Sequence, residues 1–175
     1  MITDVKELKG KIQLILSEAR AETAFYAVRR PGPATLRAAA STGDPPVIEA
    51  VGDVELVHEE VRLLKLLAAQ CSPSLQGQFA ELLLGKSSAE NAKVVVHAMI
   101  EVGGLLTLLT AFKGTKALDA TKRRKMWEAL RDKLAHESHR FTEADLTAIE
   151  EARQVEEARA RTAVGERMKR LPPTL

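Results

Sequence analysis

A chain of 175 residues, 45% hydrophobic and 29% charged, is long enough for one core and too apolar for wholesale disorder. Aromatic residues make up only 3%, so Leu, Val, Ile and Ala must fill that core, and Ala and Leu are also the strongest helix formers. A net charge of +2 excludes a global basic field, and the single cysteine, Cys71, excludes an internal disulfide and suits a reducing, cytoplasmic setting.

The opening run, Met1 to Lys6, mixes acid and base without a basic n-region or an apolar h-region, so export is not expected. Val5, Leu8, Ile12, Ile15 and Ala19 draw one apolar stripe at helical spacing. They predict a helix from Asp4 to about Val28, capped by Asp4 with Glu7. Arg30-Pro31-Gly32-Pro33 ends it and opens a Pro/Gly-rich loop over 29–46, with one or two helical turns inside Ala34 to Ala40. Val47, Val51, Val54, Val61, Leu64 and Ala68 predict a second helix to Gln70, stopped by Ser72-Pro73. A short third helix, Ser74 to Leu84, turns Leu75, Phe79 and Leu82 inward and closes with Gly85 at C′.

Ser87 and Glu90 suggest a capping box for a fourth helix reaching Phe112. From Val94 to Phe112 only His97 and Glu101 can ionise, and the length approaches a membrane span. A carboxylate near mid-span and the lack of an aromatic belt favour instead a helix buried among its neighbours, and no membrane association is expected. Gly103-Gly104 allows a close backbone approach within that helix; no strand precedes it, so it is no phosphate loop. After the turn Lys113-Gly114-Thr115-Lys116, Asp119 or Thr121 caps a fifth helix with Met126, Trp127, Leu130 and Leu134 as its apolar face, fading after His136. Thr142 and Asp145 form a capping box, with Phe141 and Leu146 as a hydrophobic staple, for a last helix over 142–170. That helix is dense in Glu and Arg and poor in large apolar residues after Ile149, so its far end is solvated or waits for a partner protein. No strand-like alternation persists. The expectation is an all-α protein, one five- to six-helix bundle over residues 1–175 with a charged C-terminal helix.

The sharpest chemical element is Arg131-Asp132-Lys133-Leu134-Ala135-His136. Asp132 and His136 are four apart and share a helical face, where a carboxylate can orient an imidazole and favour its protonated form. Arg131 lies beside the apolar stripe and can present a fork of donors to a phosphate. An imidazole for proton transfer and a guanidinium for phosphate charge suffice for metal-free RNA cleavage. Lys122-Arg123-Arg124-Lys125, in the first turns of the same helix, would lead a phosphate backbone toward Arg131, or form a solvated face balanced by Glu128 and Asp132; base stacking is not expected, since Trp127, the only nearby aromatic, reads as core.

Arg131-Asp132 followed by His136, with the run-in Leu134-Ala135-His136-Glu137, resembles the Arg-x-x-x-x-His signature of HEPN domains. The resemblance covers six residues strictly and the helical bundle loosely. It implies a small bundle, often a metal-independent ribonuclease working as a homodimer whose two motifs meet at the interface, in bacterial defence or toxin–antitoxin systems. On that basis Arg131, Asp132 and His136 are the catalytic candidates, and RNA the ligand.

Other constellations carry less. Glu55-Leu56-Val57-His58 has a di-iron spacing but lacks a second such pair, and His136 with His139 lacks a third ligand, so neither metal nor cofactor is expected. His97 and Glu101 read as a satisfied polar pair or the lining of a pocket, and Cys71 as a small hydrophobe beside the Pro73 turn. The competing expectation is a non-catalytic helical scaffold or small subunit of a nucleoprotein or phage assembly.

Overall fold

A computed structural model describes residues 1–29, 45–114 and 118–172, and side chains outside 18–55. Seven α-helices account for most of these: α1 Val5–Arg29, α2 Pro45–Ala69, α3 Pro73–Lys86, α4 Ala92–Glu101, α5 Leu105–Lys113, α6 Ala120–His136 and α7 Glu143–Arg170. The chain is all-α, as its periodicity implied. Most of the Pro/Gly-rich loop expected over 29–46 lies outside the described residues, as does the stretch 115–117.

Capping explains the helix starts. The Asp4 carboxylate accepts the Lys6 amide at 3.1 Å ahead of α1. Asp119, rather than Thr121, caps α6 by accepting the Lys122 amide at 2.8 Å. Both hydrogen bonds of the Thr142–Asp145 capping box form in the first turn of α7, and Phe141 beside it is buried while Leu146 stays 43% exposed. Ser87 and Glu90 form no such box. Ser87 instead closes α3, its hydroxyl donating to the Leu84 carbonyl at 2.9 Å, and Gly85 lies inside that helix rather than at C′.

The fourth predicted helix is two. Its apolar pattern runs unbroken, yet α4 ends at Glu101 in a Schellman motif. The Gly104 amide donates to the Met99 carbonyl at 2.6 Å and the Gly103 amide to that of Ile100 at 3.3 Å. Gly103 adopts φ +76°, where a side chain would be strained. The close approach expected here is real: a Cβ on Gly104 would sit 2.8 Å from the Ala80 Cβ of α3.

The break lets one apolar run serve two neighbours. α4 packs against α2 and α6, and α5 packs against α7 and α3. Leu8, Ile12 and Leu16 from α1 meet Leu64, Phe79, Leu83, Val95, Met99, Leu108, Phe112, Met126 and Leu130 in one core. The N-terminus is strapped to the α2–α3 turn, with the Ile2 amide on the Gln70 carbonyl and the Ser72 amide on the Ile2 carbonyl, both at 2.8 Å. Cys71 is buried in that turn, and burial pushes its thiol up, as befits a packing residue. Among the described residues no helix is long and apolar enough to cross a membrane.

Gly104→Ala is expected to lower stability by about 1–3 kcal/mol, the usual cost of overpacking. Gly10→Ala, mid-helix with open space around its Cβ position, is expected to raise it by about 0.5–1 kcal/mol. Urea midpoints measure both; a Gly104→Ala protein as stable as the parent would contradict the close packing of α3 on this turn.

Candidate functional site

The Arg131–His136 element occupies the last turns of α6, and Arg131, Asp132 and His136 are all exposed. The His136 ring is fixed by the main chain. Its Nδ1 lies 2.8 Å from the Asp132 carbonyl oxygen, so the hydrogen bond does not run to the Asp132 carboxylate as the spacing suggested. Helical side chains lean back over the preceding turn, and there a carbonyl has a second lone pair to offer. A carbonyl only accepts, so Nδ1 carries the proton and Nε2 of the neutral ring keeps its lone pair facing outward. Arg131 and His136 are five residues apart, about 140° around the helix axis, so one chain does not bring them onto a common face.

The basic run 122–125 divides. Lys122 is buried, its Nζ donates to the Leu84 carbonyl, and burial pushes its pKa down. It pins α6 to α3 and is not presented to a ligand. Arg123 pairs with Glu156 at 3.3 Å and donates to the Gly114 carbonyl at 2.9 Å, tying α6 to α7 and to the turn after α5. Arg124 is exposed and Lys125 half-buried, and neither has an acidic partner among the described residues.

A groove of about 570 Å³ runs between α6 and α7, lined by Arg123, Arg124, Trp127 and Arg131 on one side and Arg153, Glu156, Glu157 and Arg159 on the other. Its α7 wall is internally neutralised. Arg153 pairs with Glu150 and Glu157. Arg159 pairs with Glu156 at 2.9 Å and reaches the Phe112 carbonyl at 3.0 Å. The α6 wall is less so, since Arg124 and Arg131 have no ion-pair partner among the described residues. Trp127 stands between them, half-buried, its ring perpendicular to that of Phe112 with centroids 5.1 Å apart. Arg131 also borders a second hollow, lined by Glu128, Asp132, Leu134 and Ala135.

Sequence reasoning missed a second polar cluster, behind the end of α6. Glu101, at the C-terminus of α4, draws in Lys65 at 3.3 Å, Lys133 at 3.9 Å and Arg140. Lys133 is buried and also pairs with Glu137 at 3.1 Å, which holds the Glu137 carboxyl below the usual range. Glu101 therefore serves three cations from other elements rather than His97. Two i,i+4 pairs, His97 with Glu101 and Lys133 with Glu137, were visible in the sequence, but only the packing of α4 on α6 brings them together. His97 is pushed down to about 4, first by burial and then by the Lys133 and Lys93 cations, with Glu137 opposing and His58 adding to the shift.

Among the described residues no three His, Cys, Asp or Glu side chains cluster closely enough to hold a metal ion. His58 is exposed, and the side chain of Glu55 lies outside the described set. Fold and site together define an all-α bundle with an arginine-lined groove between α6 and α7 and an exposed imidazole at the end of α6. The chain matches no family model, no curated protein and no solved structure.

His97 gives a pH test. Neutral in the fold and ordinary when unfolded, it makes the unfolded chain bind more protons between about pH 6.5 and 4. Its contribution to stability is full above that window and is lost as pH falls through it. The denaturation midpoint is expected to drop as pH is lowered from about 7 to about 5, and to stay flatter in His97→Gln. Equal slopes in the two proteins would contradict a buried, neutral His97.

Proposed function

We propose that the chain is a HEPN-like, metal-independent ribonuclease of a bacterial defence or toxin–antitoxin system, acting as a homodimer. The observation that carries this is the state of His136: exposed at the end of α6, with Nδ1 held by the Asp132 carbonyl and Nε2 turned outward as a base. Arg131, exposed one and a half turns earlier with no acidic partner among the described residues, supplies the cation. The two diverge on one helix, which favours a composite site in which one copy's Arg131 works with the other copy's His136 across a two-fold axis.

In this reading Nε2 takes the proton from a ribose 2′-hydroxyl. The freed oxygen attacks the adjacent phosphorus, and the bond to the 5′-oxygen breaks as that oxygen takes a proton from solvent. Arg131 stabilises the charge on the five-coordinate phosphorane. The products are a 2′,3′-cyclic phosphate and a 5′-hydroxyl. Asp132 contributes its main-chain carbonyl and not its carboxylate.

One observation favours a second reading, a non-catalytic subunit of a larger assembly. Every residue from 161 to 170 of α7 is exposed, and Val164, Met168 and Leu171 stand out at helical spacing as 57%, 67% and 64% exposed. Such a helix end suits a partner protein.

Purified protein incubated with mixed RNA in chelator separates the two. Cleavage leaving cyclic phosphate ends is expected. His136→Ala should lower it by roughly two to four orders of magnitude. Arg131→Ala should abolish it, while Asp132→Ala should retain it within several-fold. Activity that persists in His136→Ala, or that needs added metal, refutes the mechanism, and no cleavage by any form favours the subunit.

A further inference from the structure

Two arginines of α6, Arg124 and Arg131, have no ion-pair partner among the described residues. Arg124, Trp127 and Arg131 follow one another at three and four residues, so all three lie on the stripe that forms the α6 wall of the groove. The two positions are two helical turns apart, about 10 Å along the axis. The other arginines of the groove are already committed: Arg123 to Glu156, Arg159 to Glu156 and the turn after α5, Arg153 to Glu150 and Glu157. Among the described residues neither Arg124 nor Arg131 lies within ion-pair distance of a carboxylate, and the two flank an indole held from behind by the fully buried Phe112.

That pattern fits a ligand with repeated negative charges and flat rings between them. We infer that the α6–α7 groove binds single-stranded RNA, with phosphates on Arg124 and Arg131 and a base stacked on the open part of Trp127. Single-strand binding sites combine these two features, a cationic track and an aromatic platform that any base can use. A duplex buries its bases and offers Trp127 nothing to stack on. Arg131 belongs both to this groove and to the hollow with Glu128 and Asp132, so one arginine of the groove is also the cation assigned to the phosphorane. The inference deepens the ribonuclease reading and rests on it for the class of ligand.

Trp127 is the only tryptophan in the chain, so its emission reports on the groove alone. The probe is a labelled 2′-O-methyl oligouridylate, which cannot be cleaved because the attacking hydroxyl is blocked. Titration is expected to quench Trp127 and to raise the anisotropy of the label together. Arg124→Ala and Arg131→Ala should each weaken binding roughly tenfold and flatten the dependence of log affinity on log salt by about 0.7. Arg167→Ala, on the exposed end of α7, should leave binding unchanged. Trp127→Phe keeps a ring against Phe112 and should bind more weakly by anisotropy while unfolding at a similar temperature. No quenching, equal binding of a duplex of the same length, or binding indifferent to Arg124→Ala would overturn the inference, as would capture of a protein on this face with no oligonucleotide affinity. The two proposals fail separately. Quenching by the blocked oligonucleotide without cleavage of ordinary RNA removes the ribonuclease and keeps the groove; cleavage with no quenching removes the groove and keeps the ribonuclease.

Discussion

The Met99 carbonyl accepts the amide of Gly104, and this contact turns the most apolar stretch of the chain back on itself. Without it, the run from Ala92 to Lys113 would be one long rod able to bury its sides against one set of neighbours only. With it, α4 lies between α2 and α6 while α5 supports α7 and α3. The groove between α6 and α7 exists because those two helices are held from beneath by different halves of the broken run. Phe112, on α5, backs Trp127 on α6, and the Phe112 carbonyl takes Arg159 of α7. The floor of the candidate site is thus built by the same turn that interrupts the hydrophobic pattern.

The polar chemistry behind the site follows from that turn as well. Glu101 is the last residue of α4, where the chain leaves the helix, and it collects Lys65, Lys133 and Arg140 from three other elements. Exposed ion pairs contribute little, but Lys133 is buried between Glu101 and Glu137, so losing both carboxylates would strand a cation in the interior. The cluster fixes the end of α6 and the turn over 138–140 from behind. His136 therefore projects from a supported terminus rather than a loose one.

Much of the fold was legible because helical periodicity and capping are local. The stripe of Leu8 and Ile12, the Asp119 cap and the Thr142–Asp145 box needed only neighbouring residues to predict, and each is found. The break at Gly103-Gly104 was not, because two glycines in an apolar run read equally as a close approach inside a helix or as its end. The local pattern cannot say which, and here the turn does both. At the site, spacing placed Arg131, Asp132 and His136 on one helix but misjudged which atom of Asp132 meets the imidazole, since a carboxylate and a carbonyl compete for the same ring nitrogen. The basic run 122–125 looked uniform in sequence, yet helical rotation sends Lys122 inward, Arg123 across to α7 and Arg124 into the groove. Trp127 was read as core and is only half so. Arg153 and Arg159 carried no signal at all, because their relevance depends on α7 folding back along α6.

The central claim is that Arg131 of one copy and His136 of another share one reaction centre. Arg131→Ala and His136→Ala proteins, each inactive alone, can be mixed and allowed to exchange subunits. A mixed dimer then holds one site with both residues intact and one with neither. With random exchange, half the dimers are mixed and one of their two sites works, so activity is expected to return to roughly a quarter of the parent level. Mixtures that stay as inactive as their components, under conditions where exchange of labelled subunits is confirmed, would contradict the composite site.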